Sequence, residues 1–134
     1  MILGIGTDLC EIRRIEQALE RFGERFARRI LVESELAVFQ RRKKGGKGAA
    51  YLAKRFAAKE AFSKALGTGI QFPVNWHNVW VANDRSGKPM LEFSKPLAEL
   101  LERRGIEKVH VSLTDEIGMA CAFVIAEGDG PGRK

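Results

Sequence analysis

Metal-binding, redox and membrane signatures are sparse in this sequence. It has two cysteines, Cys10 and Cys121, with no CxxC spacing, which suits buried reduced thiols better than a disulfide or a redox pair. The two histidines, His77 and His110, are far apart and lack a Cys or His at zinc spacing. No apolar run approaches the roughly 20 residues needed to span a bilayer, and no membrane association is expected. The start, residues 1–8, has no basic segment and meets Asp8 too soon for a signal peptide, so the expected location is cytoplasmic. There is no Walker motif, and Gly4-x-Gly6 supplies only two of the three glycines of a dinucleotide fingerprint. Ser112, His110 and Asp115 crowd one strand, and no nucleophile elbow is present, which weighs against a serine triad. No internal repeat is evident.

What the chain does have is uneven positive charge. Of its 134 residues, 11–59 carry 14 Lys/Arg against 6 Asp/Glu, a balance of +8, whereas the rest carry 9 against 11, or −2. A basic region of this kind attracts nucleic acid, an acidic protein or a phosphorylated small molecule; the bland alternative is a solvated face. Composition does not choose among these.

Hydrophobic residues make up 45% of the chain, enough for one packed domain over 1–134. Residues 2–9 read as a short buried strand. From Ile12 the period becomes helical through Ile15, Leu19, Phe22 and Phe26, with Asp8 and Glu11 as capping candidates and Gly23 as a break or kink. A second helix is expected from Ser34 to Arg42, a basic loop over 43–48, and a long helix from Ala49 to Leu66 ended by Gly67-Thr68-Gly69. Strands follow at 79–82 and 89–93 around a turn, then a helix from Pro96 to Arg104 ending at Gly105. Alternation over 109–114 and an apolar run over 119–126 read as a hairpin through Glu116-Ile117-Gly118. Residues 127–134 read as a loose tail. The fold class is α+β: a mostly antiparallel sheet packed against a long helix.

Candidate chemistry sits at two acids. Asp8 ends an apolar, Gly-rich strand, where a carboxylate projects into a cleft or caps the next helix. Glu60 shares a helical stripe with Ala53, Phe56, Ala57, Lys64 and Gly67, and is either a ligand-facing acid or half of a Glu60–Lys64 surface pair. Mg²⁺ is commonly held by one or two carboxylates plus substrate phosphates. Asp8 and Glu60 could supply the carboxylates, Lys64 a point charge for phosphate, and Gly67-Thr68-Gly69 close backbone approach.

These residues lie within longer motifs. Residues 4–12, Gly-Ile-Gly-Thr-Asp-Leu-Cys-Glu-Ile, resemble the opening motif of bacterial holo-acyl-carrier-protein synthases. Residues 55–70, Arg-Phe-Ala-Ala-Lys-Glu-Ala-Phe-Ser-Lys-Ala-Leu-Gly-Thr-Gly-Ile, resemble their second and longer one. Gly87-Lys88-Pro89 and the segment 110–116 follow in the same order. The resemblance implies a phosphopantetheinyl transferase fold and Mg²⁺-dependent transfer of phosphopantetheine from coenzyme A to acyl carrier protein, serving fatty acid biosynthesis. It implies Asp8 and Glu60 as metal ligands and Lys64 near the phosphates. Arg55, Gly67, Thr68, Gly69, Gly87, Lys88 and Pro89 are implied to contact coenzyme A. It also implies a homotrimer with sites between subunits, and a carrier-binding surface of Arg13, Arg14, Arg21, Arg25 and Arg28. Many members have His where Asp115 stands, while some proteobacterial members have Asp. Glu60, Lys64 and Asp115 are the candidate catalytic groups, and the serine proton goes to Glu60, Asp115 or a metal-bound water. Two rival readings are a nucleic-acid-binding module, disfavoured by core-like aromatics and the lack of any RNP or zinc-finger pattern, and a non-catalytic docking protein, which leaves Glu60 unexplained.

Overall fold

A computed structural model describes residues 1–132. The elements run β1 (Ile2–Glu11), α1 (Ile12–Phe22), α2 (Glu24–Ile30), α3 (Glu33–Lys44), α4 (Gly48–Leu66), β2 (Val79–Asn83), β3 (Pro89–Phe93), α5 (Lys95–Arg103), β4 (Ile106–Glu116) and β5 (Met119–Gly128). β1, β5 and β4 form an antiparallel sheet in that order, and β2 and β3 form a separate hairpin. The fold is α+β, as the periodicity indicates. The helical stretch from Ile12 is broken at Gly23 into two helices, one of the two outcomes expected of that glycine.

The centre of the molecule is α4 lying across the sheet. Its sheet-facing side is built of small residues: Ala53, Ala57, Ala58 and Ala61 are fully buried, as are Ala120, Ala122 and Ala126 on β5. Gly4 and Gly6 complete this surface on β1. A Cβ at Gly4 would collide with the Ala65 carbonyl, and one at Gly6 with the Ala61 carbonyl and, at 2.7 Å, the Ala65 nitrogen. The strand backbone thus touches the helix backbone, an approach that only glycine permits.

Side chains alternate across the sheet. Gly4, Gly6, Asp8 and Cys10 of β1 face α4, in register through β5 with Leu113 and Asp115 of β4. The opposite face carries Ile5, Leu9 and Phe123, which are 59, 67 and 39% exposed.

Two expectations need correction. Asp8 does not cap a helix: it lies inside β1, the residue before α1 is Glu11 without a side-chain cap, and Ile12 N–H donates instead to Gly118 O in the β4–β5 turn at 2.9 Å. Nor is the segment from Glu127 loose at its start. Glu127 and Gly128 belong to β5, and Gly130 N–H donates to Gly105 O at 3.2 Å, because Gly105 and Gly128 let the two backbones meet. Residues 133 and 134 lie outside the described residues.

Candidate active site

The contact between β1 and α4 brings together three of the expected residues. Asp8 projects toward α4 two residues beyond Gly6, and its side chain is 14% exposed. Lys64 donates to Thr7 O at 3.0 Å and to Asp8 Oδ1 at 3.1 Å. The Glu60–Lys64 surface pair is therefore replaced by a bond from Lys64 across to the strand. Glu60 is half-buried; loss of water pushes its carboxyl above the ordinary value, the Asp8 charge pushes it further, and Lys64 partly offsets both. Two carboxyl groups, with Asp8 close enough for its charge to act on Glu60, are hard oxygen donors suited to a small divalent cation. Among the described residues no cluster of three or more His, Cys, Asp or Glu is placed to hold a metal, so any such ion would share this pair with ligand or water oxygens.

Beyond Lys64 the helix stops at Gly67 in the left-handed conformation, φ 73°. Gly67 N–H donates to Lys64 O and Thr68 N–H to Ser63 O, a Schellman closure. No atom lies where a Cβ of Gly67 or Gly69 would point, so the helix end next to Lys64 opens to solvent. Thr68 Oγ1 donates to Gly69 O at 2.8 Å.

A second group forms at the other edge of the sheet. Arg42, Lys54, Arg55, Asn83, Gly87, Pro89 and Leu113 line a cavity of about 390 Å³. Arg55 is only 8% exposed, its guanidinium lies 4.0 Å above the Tyr51 ring, and its buried Nε has no hydrogen-bond partner. Burial pushes the Tyr51 hydroxyl up, so it stays neutral beside Arg55. The β2–β3 turn is fixed by Asp84, whose Oδ1 accepts from Ser86 N–H at 2.8 Å, Ser86 Oγ at 2.6 Å and Lys88 N–H at 3.0 Å. That turn presents Gly87 and Pro89 to the cavity, while Lys88 is exposed and does not line it. Three cations, one of them with a buried donor left unpaired, give this cavity a lining suited to an anion.

Asp115 belongs to this second group. Its Oδ1 lies 3.2 Å from Lys54 Nζ, on β4, with β5 between it and Asp8. The structure thus divides the expected site within one chain: Asp8, Glu60 and Lys64 at the β1 edge, Arg55, Gly87, Pro89 and Asp115 at the β4 edge. Arg42, Lys54 and Asn83 were not singled out from sequence. Lys54 had a signal, since it directly precedes the Arg55 that opens the second motif.

The basic surface spans both α1 and α2. Arg13, Arg14, Arg21, Arg25 and Arg28 are all exposed. Arg21 lies over Phe22 at 5.2 Å and Arg28 pairs with Glu24 at 2.9 Å. Phe22, Arg25, Phe26 and Arg29 line an apolar notch in this surface, also about 390 Å³.

Sequence reasoning also passed over Lys59. It is fully buried and donates at 2.7 Å to each of Glu35 Oε1, Ile30 O and Trp76 O. Glu35 in turn accepts from Val32 N–H at 3.1 Å and Val81 N–H at 2.8 Å. All three ammonium donors are used, and the pair ties α2, α3, α4, the Trp76 loop and β2 together. A lysine surrounded by Ala and Phe in the second motif was the available signal.

Residues 4–122 match the family described as the 4′-phosphopantetheinyl transferase superfamily. A holo-[acyl-carrier-protein] synthase of Nitrosomonas europaea is 52% identical over 127 residues, covering 95% of this chain and 99% of that protein. The crystal structure of the holo-[acyl-carrier-protein] synthase from Neisseria meningitidis superposes with a TM-score of 0.88 at 46% identity, covering 95% of this chain and 99% of the other. A holo-(acyl-carrier-protein) synthase from Bacillus anthracis, in complex with CoA (3′,5′-ADP), gives a TM-score of 0.79 at 40% identity, covering 96 and 99%.

Proposed function

The chain is an enzyme of the 4′-phosphopantetheinyl transferase superfamily, and from that premise we propose that it transfers the 4′-phosphopantetheine group of coenzyme A to a serine of apo acyl carrier protein. The products are the holo carrier and adenosine 3′,5′-bisphosphate. The single observation that carries this reading is that Asp8, bonded to Lys64, lies close enough to Glu60, 52 positions on, for its charge to act on that carboxyl.

Asp8 and Glu60 would hold Mg²⁺, which when bound supplies positive charge against the pyrophosphate oxygens. Lys64 adds a point charge at the same place and is free to exchange Asp8 for a phosphate oxygen. Gly67-Thr68-Gly69 gives the pantetheine arm room beside it. The β4-edge cavity, with Arg55, Gly87 and Pro89, takes the nucleotide end. Catalysis then consists of holding the β-phosphate in line with the serine hydroxyl and offsetting charge on its oxygens.

The division of these residues between two edges supports a homotrimer in which the β1 edge of one copy faces the β4 edge of the next. The exposed apolar face bearing Ile5, Leu9 and Phe123 gives such an assembly a surface to bury. Light scattering after size exclusion tests it, and a monomer fully active at assay concentration would oppose it. The exposed arginines of α1 and α2 suit an acidic carrier protein, and the Phe22–Phe26 notch suits an apolar side chain from it. No described helix is long and apolar enough to cross a membrane. The role proposed for the transfer is in fatty acid biosynthesis in the cytoplasm.

The test is intact-mass analysis of apo acyl carrier protein after incubation with coenzyme A, Mg²⁺ and this protein. A gain of one phosphopantetheine supports the reading; an unchanged carrier mass sinks it.

A further inference from the structure

We propose that Asp115 governs how tightly the β4-edge cavity holds a nucleotide phosphate, by competing for Lys54, and so sets the release of the nucleotide product. This rests on the reading of that cavity as the nucleotide half of the site.

The cavity lining is cationic or neutral throughout: Arg42, Lys54, Arg55, Asn83, Gly87, Pro89 and Leu113. Arg55 is committed to it. Its side chain is buried, stacked on Tyr51, and its Nε has no protein partner. Asp115 is the acid that intrudes on this lining. It follows Leu113 by two residues on β4, so both point to the same face of the sheet. Its Oδ1 lies 3.2 Å from Lys54 Nζ, and both side chains keep some solvent contact, 40 and 24%.

Lys54 therefore enters the cavity already half neutralised. Its ammonium lies 3.2 Å from Asp115 Oδ1, and a phosphate that engages the same ammonium brings its own charge close to the carboxylate. In a partly hydrated site, repulsion between anions that share one ammonium weakens phosphate binding roughly fivefold. That is useful to a transferase of this kind. Coenzyme A and adenosine 3′,5′-bisphosphate present the same nucleotide, and three unopposed cations would retain the product after the arm has left. Asp115 acts through Lys54, with β5 between it and Asp8 in its own chain, and is a positioning residue in this sense.

The experiment is calorimetric titration of adenosine 3′,5′-bisphosphate into the full-length wild type, Asp115→Asn, Asp115→Glu and Lys54→Met, with steady-state kinetics in coenzyme A alongside. Asp115→Asn should bind the bisphosphate about fivefold tighter and show a lower KM for coenzyme A and stronger product inhibition. Asp115→Glu should restore wild-type binding, and Lys54→Met should bind more weakly. Unchanged or weaker binding by Asp115→Asn, while Lys54→Met weakens it, overturns the proposal and leaves the cavity assignment standing. A loss of kcat in Asp115→Asn at unchanged affinity would place Asp115 in the chemistry and also overturn it. If neither variant alters bisphosphate binding, the assignment of the cavity fails, and the proposal with it.

Discussion

Lys64 on α4 bonds Asp8 on β1 at 3.1 Å, not Glu60 one turn earlier on its own helix. The lysine thereby ties β1 to α4 beside Glu60, whose carboxyl the Asp8 charge helps to raise. Asp8→Asn and Glu60→Gln each remove one oxygen-donor charge from this group without disturbing buried apolar packing. Both should lose metal-dependent transfer on the order of 100-fold or more, with melting temperatures close to wild type. A carrier-mass assay over a Mg²⁺ series checks this; full rate at saturating Mg²⁺ in either variant would remove that residue from the site.

Glu60 also predicts a pH effect in the metal-free protein. Its carboxyl is raised first by loss of water and then by Asp8, so the folded state holds its proton more tightly than the unfolded chain does. Such a group contributes stability that is present below the ordinary glutamate value and lost as pH rises through the raised one. Between about pH 4 and pH 7, the melting temperature of the metal-free wild type should therefore fall relative to Glu60→Gln. Adding a divalent cation at neutral pH should reverse the difference. Parallel melting curves over that range would show that Glu60 feels no such crowding.

How these residues meet was only partly legible in the sequence. Periodicity located the strands and helices, because the alternation of 109–114 and the helical spacing from Ile12 are local properties. It placed a turn at Gly118 but not the bond from Ile12 to that turn, which joins residues more than a hundred positions apart. On spacing alone Asp8 read better as a helix cap, since spacing does not show which face of a strand a side chain takes. Lys59 and Glu35 escaped for the opposite reason: charged residues read as surface, and only their mutual burial reveals otherwise. Arg42 of α3 and Asn83 of the β2–β3 hairpin meet Lys54 and Arg55 only in the folded chain, a contact that no local pattern encodes.

Gly6→Ala tests the route by which the two acids are brought together. The added Cβ meets backbone atoms of Ala61 and Ala65, which cannot step aside as a flexible side chain can. Overpacking of this kind costs about 1–3 kcal/mol, and α4 must move away from β1. Because Asp8 lies two residues on, transfer activity should fall further than the stability loss explains, and the Mg²⁺ concentration for half-maximal rate should rise. Denaturant unfolding and a Mg²⁺ series on the same preparation separate these effects; an unchanged Mg²⁺ requirement would show that the close approach serves stability alone.

Lys59→Met should act differently, through the fold as a whole. It leaves the Glu35 carboxylate buried without its ion partner and removes donors from Ile30 O and Trp76 O. Breaking a buried pair from one side costs about 3–5 kcal/mol, a large share of the stability of a domain this size. Urea unfolding should show the midpoint moving sharply down with little change in slope. A loss below about 1 kcal/mol would mean that the pair contributes no more than a surface salt bridge.

The arginine surface gives the clearest separation between docking and chemistry. Arg14 and Arg21 are exposed on α1, whereas Ile15 of the same helix is buried. Charge reversal at either position should raise KM for the carrier protein several-fold, because complementary charge chiefly speeds encounter, while the affinity for coenzyme A stays at the wild-type value. The defect should shrink as ionic strength rises, since screening at 0.15 M already limits such forces to about 8 Å. If Arg14→Glu and Arg21→Glu kept wild-type KM at low salt, the carrier would have to approach by another face. The notch at Phe22 and Phe26 would then be left without an acidic partner to seat.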